Sequence, residues 1–231
     1  MKLSHSSIST YSDCPKKWEF KYIDKLPERP RHYFSFGKSV HSALEFMYAG
    51  DSCPPAEAVL GALRRGWISE AYKDAKAEAK AKRDAEFMLG TFYGAESSGW
   101  RKPLAVELKF DMEVGHVRVI GFIDRVDIGL HVLDYKTGRA LEPERVEEDE
   151  QLTLYQMAAE RMYPGSRVGK LSFCHVPSGT WHSAGRGTRP RSRSTWTWWR
   201  ATRTRGRGSR WVEGSRSRTQ ARLHPRLRTR R

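Results

Sequence analysis

Cysteine is scarce: Cys14, Cys53 and Cys174 are the only three in a chain of 231 residues. An odd count without a secretory leader excludes the disulfide scaffold of a small secreted domain and fits a reducing compartment, so a cytoplasmic protein is expected. The N-terminus, Met-Lys-Leu-Ser-His-Ser-Ser, lacks the apolar core of a signal peptide. Nor does any stretch reach the ~18 to 20 apolar residues that a bilayer-crossing helix requires, which argues against a membrane partner.

Acidic residues are nearly absent from one end. From Ser183 to Arg231 there are 16 Arg, no Lys and one acid, Glu213, giving +15, whereas the preceding 182 residues carry 26 basic and 26 acidic side chains and balance. The formal charge therefore marks the C-terminal stretch, not the body, as a partner for polyanions. That stretch also lacks Ile, Phe, Tyr, Met and Cys and cannot supply a core. It reads either as a disordered arginine-rich arm whose Trp side chains stack on bases, or as translation in the wrong frame. Trp has a single codon, so Thr195-Trp196-Thr197-Trp198-Trp199 fixes ACN TGG ACN TGG TGG. Read from each third base this becomes NTG GAC NTG GTG, an apolar-Asp-apolar-Val alternation suited to a strand, which favours the second reading.

The length suits one well-buried domain. Ser4, Ser6 and Ser7 offer N-cap oxygens to a helix carrying Ile8 and Tyr11, broken at Cys14-Pro15 before the aromatic run Trp18, Phe20, Tyr22. Val40, Leu44 and Met47 recur at helical spacing, with His41 beside them. Ala-rich helical segments follow at roughly 56–67 and 69–93, which look like a helical insert or lid over about 56–94. The period then becomes alternating, with strands near 105–113, 116–127 and 131–136 and turns at Gly115 and Gly129. A helix over 147–162 and a strand over 170–176 complete a mixed α/β sheet domain spanning residues 1–182, followed by the basic tail at 183–231.

Acid-x-Lys triplets are common here: Glu19/Lys21, Asp74/Lys76, Glu78/Lys80, Glu107/Lys109 and Asp134/Lys136 make five, so most are ordinary surface charge. Asp134-Tyr135-Lys136 differs in ending an apolar strand across a hairpin from Gly121-Phe122-Ile123-Asp124. With the turn centred on Gly129, paired residue numbers sum to 258, which sets Asp124 opposite Asp134 with Lys136 on the same face. Opposed carboxylates with Cβ atoms ~5 Å apart can share one hard cation, Mg²⁺ or Mn²⁺, at ~2.1 Å per oxygen. Two acids and a lysine around such an ion suit phosphodiester cleavage. The plainer alternative is a surface Asp–Lys hairpin pair.

Five segments run in order: Leu3-Ser4-x-Ser6-x-Ile8-x-x-Tyr11-x-x-Cys14-Pro15, Gly37-x-x-x-His41, Gly121-Phe122-Ile123-Asp124-Arg125-Val126-Asp127, Leu133-Asp134-Tyr135-Lys136-Thr137-Gly138 and Gln151-Leu152-x-x-Tyr155. Together they resemble the RecB-like nucleases of the PD-(D/E)XK superfamily, a group that includes CRISPR-associated adaptation nucleases and bacterial helicase-nuclease subunits. The resemblance implies a restriction-endonuclease-like mixed sheet flanked by helices, with an N-terminal helical region. It implies a metal-dependent DNA nuclease, acting as an exonuclease or single-strand nuclease in repair, recombination or phage DNA processing, with a helicase or recombination protein as a partner.

By the same resemblance Asp124 and Asp134 are the metal carboxylates, Lys136 the catalytic lysine, and His41 a further ligand or organiser of the metal site. Gln151 and Tyr155, one helical turn apart, face the site and contact DNA or the lysine. Glu107 is an additional candidate ligand, with a solvated strand charge as its alternative. Cys14-Pro15 looks like the first ligand of the [4Fe-4S] cluster of iron-sulfur relatives, whose other cysteines lie near the C-terminus. Those partners are missing here, so the cluster is incomplete in this chain. A non-catalytic nucleic-acid binder working through the Arg-rich tail and an inactive, truncated nuclease remnant are the competing functions.

Overall fold

The computed structural model describes residues 2–139, 146 and 149–184. Helix α1 (His5–Asp13) begins where the Ser4 hydroxyl accepts the Ser7 N–H at 3.3 Å. Cys14 ends it in extended backbone, and its Sγ then caps α2 (Pro15–Trp18) by accepting the Lys17 N–H. A π-helical turn over Glu19–Ile23 follows, and the Trp18 indole donates to Ser7 Oγ at 2.8 Å, tying the two short helices together. Helix α3 (His32–Ala49) buries Val40, Ala43, Leu44 and Met47, the stripe that its sequence spacing predicts.

Helices α4 (Ala56–Arg65) and α5 (Ala75–Glu96) occupy the Ala-rich region. The second helix was expected from residue 69 but starts at Ala75: Asp74 accepts the Ala77 N–H at 2.7 Å as its N-cap, and Ala71 just before it has a left-handed backbone, φ 72°. Neither helix is a detached lid. Val59, Leu63, Ala85, Leu89 and Phe92 are buried in one cluster with Val40, Leu44 and Met47 and with Tyr135, Cys174 and Val176 of the sheet region.

The strands are β1 (Lys2–Leu3), β2 (Ala105–Val114), β3 (Val117–Asp127), β4 (His131–Lys136), β5 (Lys170–His175) and β6 (Thr180–Ala184). Their order is β1-β3-β4-β5-β6, with β2 on the other edge of β3. The pairs β2/β3, β3/β4 and β5/β6 are antiparallel, and β4/β5 is parallel. Between β4 and β5 runs α6 (Glu150–Met162), the helical crossover that a parallel pair needs. It starts at Glu150, later than the expected 147, because Asp149 accepts the N–H groups of Gln151 and Leu152.

Gly121 is required by packing: a Cβ there would sit 2.5 Å from the Phe110 ring on the neighbouring strand. Helix α6 covers one face of the sheet, where Val119, Ile123, Val132, Leu152, Ala159, Leu171 and Phe173 are buried; α3, α4 and α5 cover the other. The result is a mixed sheet between helical layers, the restriction-endonuclease-like architecture expected.

β6 was not anticipated. It runs two residues into the stretch assigned to the tail, with Ser183 paired to Ser172 and Ala184 buried against Leu171. Its sequence, Thr-Trp-His-Ser-Ala, carries little apolar alternation, and the strand is held by the edge of β5. The rest of the arginine-rich stretch, 185–231, lies outside the described residues. Among those described, no helix is long and apolar enough to cross a membrane.

Candidate active site

The register expected for the β3–β4 hairpin holds: Arg125 pairs with Leu133, Val126 with Val132 and Asp127 with His131. The ladder stops one row short of Asp124 and Asp134. There the Asp124 carboxylate takes the place of a backbone acceptor, and its Oδ2 receives the Tyr135 N–H at 2.7 Å. On the other side of β3, Glu107 falls opposite Asp124 between the pairs Val106–Arg125 and Leu108–Ile123. Its φ of 45° is left-handed, a conformation that L side chains disfavour and that gathers at functional sites.

Both strands turn over at this row. Leu108 and Ile123 pack on the α6 side, whereas Val106 packs on the α3–α5 side and Arg125 lies 4.1 Å over the Tyr48 ring of α3. Residues two apart in an undistorted strand would share a face. The twist is anchored by Arg125, which is buried, donates to the Tyr135 hydroxyl at 2.9 Å and pairs with Asp127 at 2.8 Å.

Helix α3 brings His41 to the same place. Its Nδ1 is 3.5 Å from Asp124 Oδ2, and its ring meets Tyr135 edge-on. The approach depends on Gly37, one turn earlier, where a Cβ would lie 3.3 Å from the Thr137 hydroxyl. One ligand atom from each of His41, Glu107 and Asp124 lies within 4.8 Å of the others. Two ligands of a single ion at ~2.1 Å stand at most ~4.2 Å apart, so an inward movement of under ~1 Å closes this set around a divalent cation.

Electrostatics agree with that reading. Burial, reinforced by the Asp124 carboxylate, pushes Glu107 up to about 7. Burial works to lower His41, but the hydrogen bond and charge of Asp124 outweigh it and raise the imidazole above its ordinary value. A cluster of acids that repel one another's ionisation is what a cation would relieve.

Asp134 stands apart from this triad. It is buried and raised well above the usual carboxylate range, first by burial and then by Asp124, with the Lys136 ammonium opposing. Its Oδ1 accepts the Gln151 amide at 2.6 Å. Lys136 Nζ forms an ion pair with Asp134 Oδ2 at 2.7 Å. Lys136 also donates to Gln151 Oε1 at 2.7 Å and rests over the Phe173 ring.

Gln151 thus ties lysine and acid together, and its Nε2 also donates to the Tyr155 hydroxyl at 2.8 Å. Tyr155 in turn leans edge-on against Phe110. The expected arrangement had Asp124 and Asp134 holding the ion between them, with His41 and Glu107 as further ligands; among the described residues the ligand atoms that converge with Asp124 are those of Glu107 and His41. The turnover at Glu107 is responsible, since simple alternation does not anticipate it.

Two contributors were not singled out from the sequence. Asp149 fixes the start of α6 and so the position of Gln151, a role legible as an N-cap ahead of an apolar run. Arg125 lies inside the β3 motif, and nothing in a linear sequence announces its stack on Tyr48. The cysteines do not assemble: all three are free, with Cys14 exposed and Cys174 buried in β5, and Cys53 sits beside Pro54 and Tyr93. The described residues therefore do not fit an iron-sulfur cluster.

A family model described as the PD-(D/E)XK nuclease superfamily matches residues 2–221. No curated protein matches the chain.

Proposed function

The chain belongs to the PD-(D/E)XK nuclease superfamily, and from that premise we propose that it is a Mn²⁺- or Mg²⁺-dependent DNA nuclease of the RecB-like type. The observation that carries this reading is the convergence of His41, Glu107 and Asp124 from three separate elements within 4.8 Å. Asp134, whose carboxyl feels the Asp124 charge and pairs with Lys136, is a candidate fourth ligand. One imidazole among carboxylates suits Mn²⁺ at least as well as Mg²⁺. When bound, such an ion neutralises the scissile phosphate and lowers the pKa of a water.

The chain's own residues do the rest. Asp124, Glu107 and His41 would hold the ion, and His41 also pairs with Asp124. Lys136 presents a positive charge to the phosphate oxygens as negative charge develops on them. Gln151 keeps that ammonium from wandering by accepting a hydrogen bond from it. Gln151, backed by the buried Tyr155, holds the lysine and Asp134 in place beside the substrate. We place the activity in the cytoplasm, as exonuclease or single-strand cleavage in DNA repair, recombination or phage DNA processing, alongside a helicase or recombination partner.

Labelled linear DNA incubated with the full chain in Mn²⁺, Mg²⁺ or chelator tests this. Asp124→Asn and Lys136→Ala should each lower cleavage by on the order of 10²-fold or more, as loss of a group acting on developing charge does, with melting curves retained. Undiminished Mn²⁺-dependent cleavage by Asp124→Asn would overturn the assignment. A second reading, a binder without catalysis, draws on the +15 carried by 183–231; it predicts strongly salt-dependent binding and no cleavage in any metal.

A further inference from the structure

A cleft of about 740 Å³ opens beside the candidate active site, between the N-terminal turns of α3 and α5 and the end of β4. Its walls include His32, Tyr33, Phe36, Tyr72 and Lys73, and its inner end is formed by Tyr135, Lys136, Thr137 and Gly138. It therefore shares Lys136 with the site described above. The rings form a chain: Phe36 meets Trp67, Trp67 stacks on Tyr72 at 5.8 Å and 20°, Tyr72 approaches His32, and His32 meets Tyr33.

Three features of this cleft stand out. Tyr33 is 48% exposed, an aromatic face left to water at the start of a long helix. The Tyr72 hydroxyl is closed off from solvent and has no hydrogen-bond partner among the described residues. Ala71, directly before it, carries the left-handed φ of 72° without being glycine, at the reversal that lays Tyr72 on Trp67.

We infer that this cleft takes the unstacked bases of a single-stranded DNA end and leads its backbone to Lys136. The inference rests on the nuclease reading and names its substrate. Aromatic faces attract bases that have lost their neighbours, whereas bases in a duplex are already stacked and gain nothing from them. A pocket of this size holds a small organic ligand, and so a base with its sugar, but not a double helix. Charge completes the match: Lys80 is neutralised by Asp84, whereas Lys73 has no ion-pair partner among the described residues and stands ready for a phosphate.

The test measures binding by the full chain in chelator, so that no strand is cut, using a labelled single-stranded thymidine oligonucleotide and a duplex of equal length. Tyr33→Ala removes a half-exposed ring and should preserve the melting curve. It should weaken single-strand binding at least about fivefold, the low end of one lost stacking contact, and leave duplex binding unchanged. Lys73→Ala should flatten the dependence of log affinity on log salt by about 0.7, the value for one phosphate contact on a single strand. Phe87→Ala, which removes an exposed ring outside the cleft, should change neither.

The arginine-rich stretch is the same in every variant, so the differences report the cleft. Cleavage in Mn²⁺ combined with unaltered single-strand affinity in Tyr33→Ala would overturn the cleft assignment and leave the nuclease standing. Tyr33-dependent single-strand binding by a chain that cleaves nothing in any metal would do the reverse.

Discussion

Gln151 has no charge and carries no reaction of its own, yet its amide makes three hydrogen bonds that organise the site: from Lys136, to Asp134 and to Tyr155. Replacing it by Ala would leave the buried Asp134 Oδ1 without its donor and free the Lys136 ammonium to rotate. Gln151→Ala should therefore lower kcat by about 10-fold or more while KM changes little, whereas Gln151→Glu should make Lys136 a tighter ion pair and withdraw it from substrate. Steady-state cleavage rates for the two variants check this, and equal kcat in Gln151→Ala and the parent would refute the positioning role. At this scale the sequence was informative about chemistry and silent about conformation. Asp134 and Lys136 could be picked out because a strand-ending acid and lysine share a face by simple alternation. Glu107 could not be ranked, since its position opposite Asp124 depends on a backbone φ of 45° that no residue type at that position announces.

Elements were legible where one physical signal dominated. β4 was readable to its ends because Gly129 and Lys136 bracket a short apolar run; α3 was recognisable from Val40, Leu44 and Met47 at helical spacing, though it starts at His32, ahead of Gly37. The Ser4 cap of α1 was legible, but two other capped ends were missed: α5 begins at Asp74's hydrogen bond and α6 at Asp149's, each competing with strong helix formers just upstream. β6 was missed because an edge strand is specified by its neighbour. Two measurements belong here. Gly121→Ala forces a methyl into the Phe110 ring and should cost about 1–3 kcal/mol, the usual penalty for overpacking, read as a lower urea midpoint. Asp149→Ala removes an N-cap and should cost about 1 kcal/mol, with kcat falling as well because Gln151 sits in the first turn it orders. A stability loss in Asp149→Ala with catalysis intact would separate the cap from the site.

The whole molecule places its ionisable groups so that its stability should depend on pH in opposite senses with and without metal. In the folded chain Glu107 is pushed up to about 7, and Asp134 and His41 are also raised, all above their unfolded values. A raised group contributes stability that is complete below its unfolded pKa and is lost as pH climbs through its folded one. His131 acts the other way: burial lowers it to about 4, so it destabilises the fold as pH falls below its unfolded value of ~6.5 and drops out above that. Between pH ~6.5 and ~8 the site groups act alone, and the melting temperature of the metal-free chain should fall by on the order of a few degrees. Saturating Mn²⁺ should invert the slope. The ion binds the deprotonated forms, so its affinity grows with pH, and at 100 times its dissociation constant it adds about 2.7 kcal/mol to the folded state. Glu107→Gln is the discriminating variant: it removes the principal titration, flattens the metal-free curve, and loses much of the Mn²⁺ stabilisation. Thermal melts of parent and variant across that window, with Mn²⁺ and with chelator, provide the comparison. If the metal-free parent gains stability toward pH 8, or if Glu107→Gln keeps the full response to Mn²⁺, then the acids at the β2–β3–β4 junction are not a cation site, and the lysine beside them has lost its partner in catalysis.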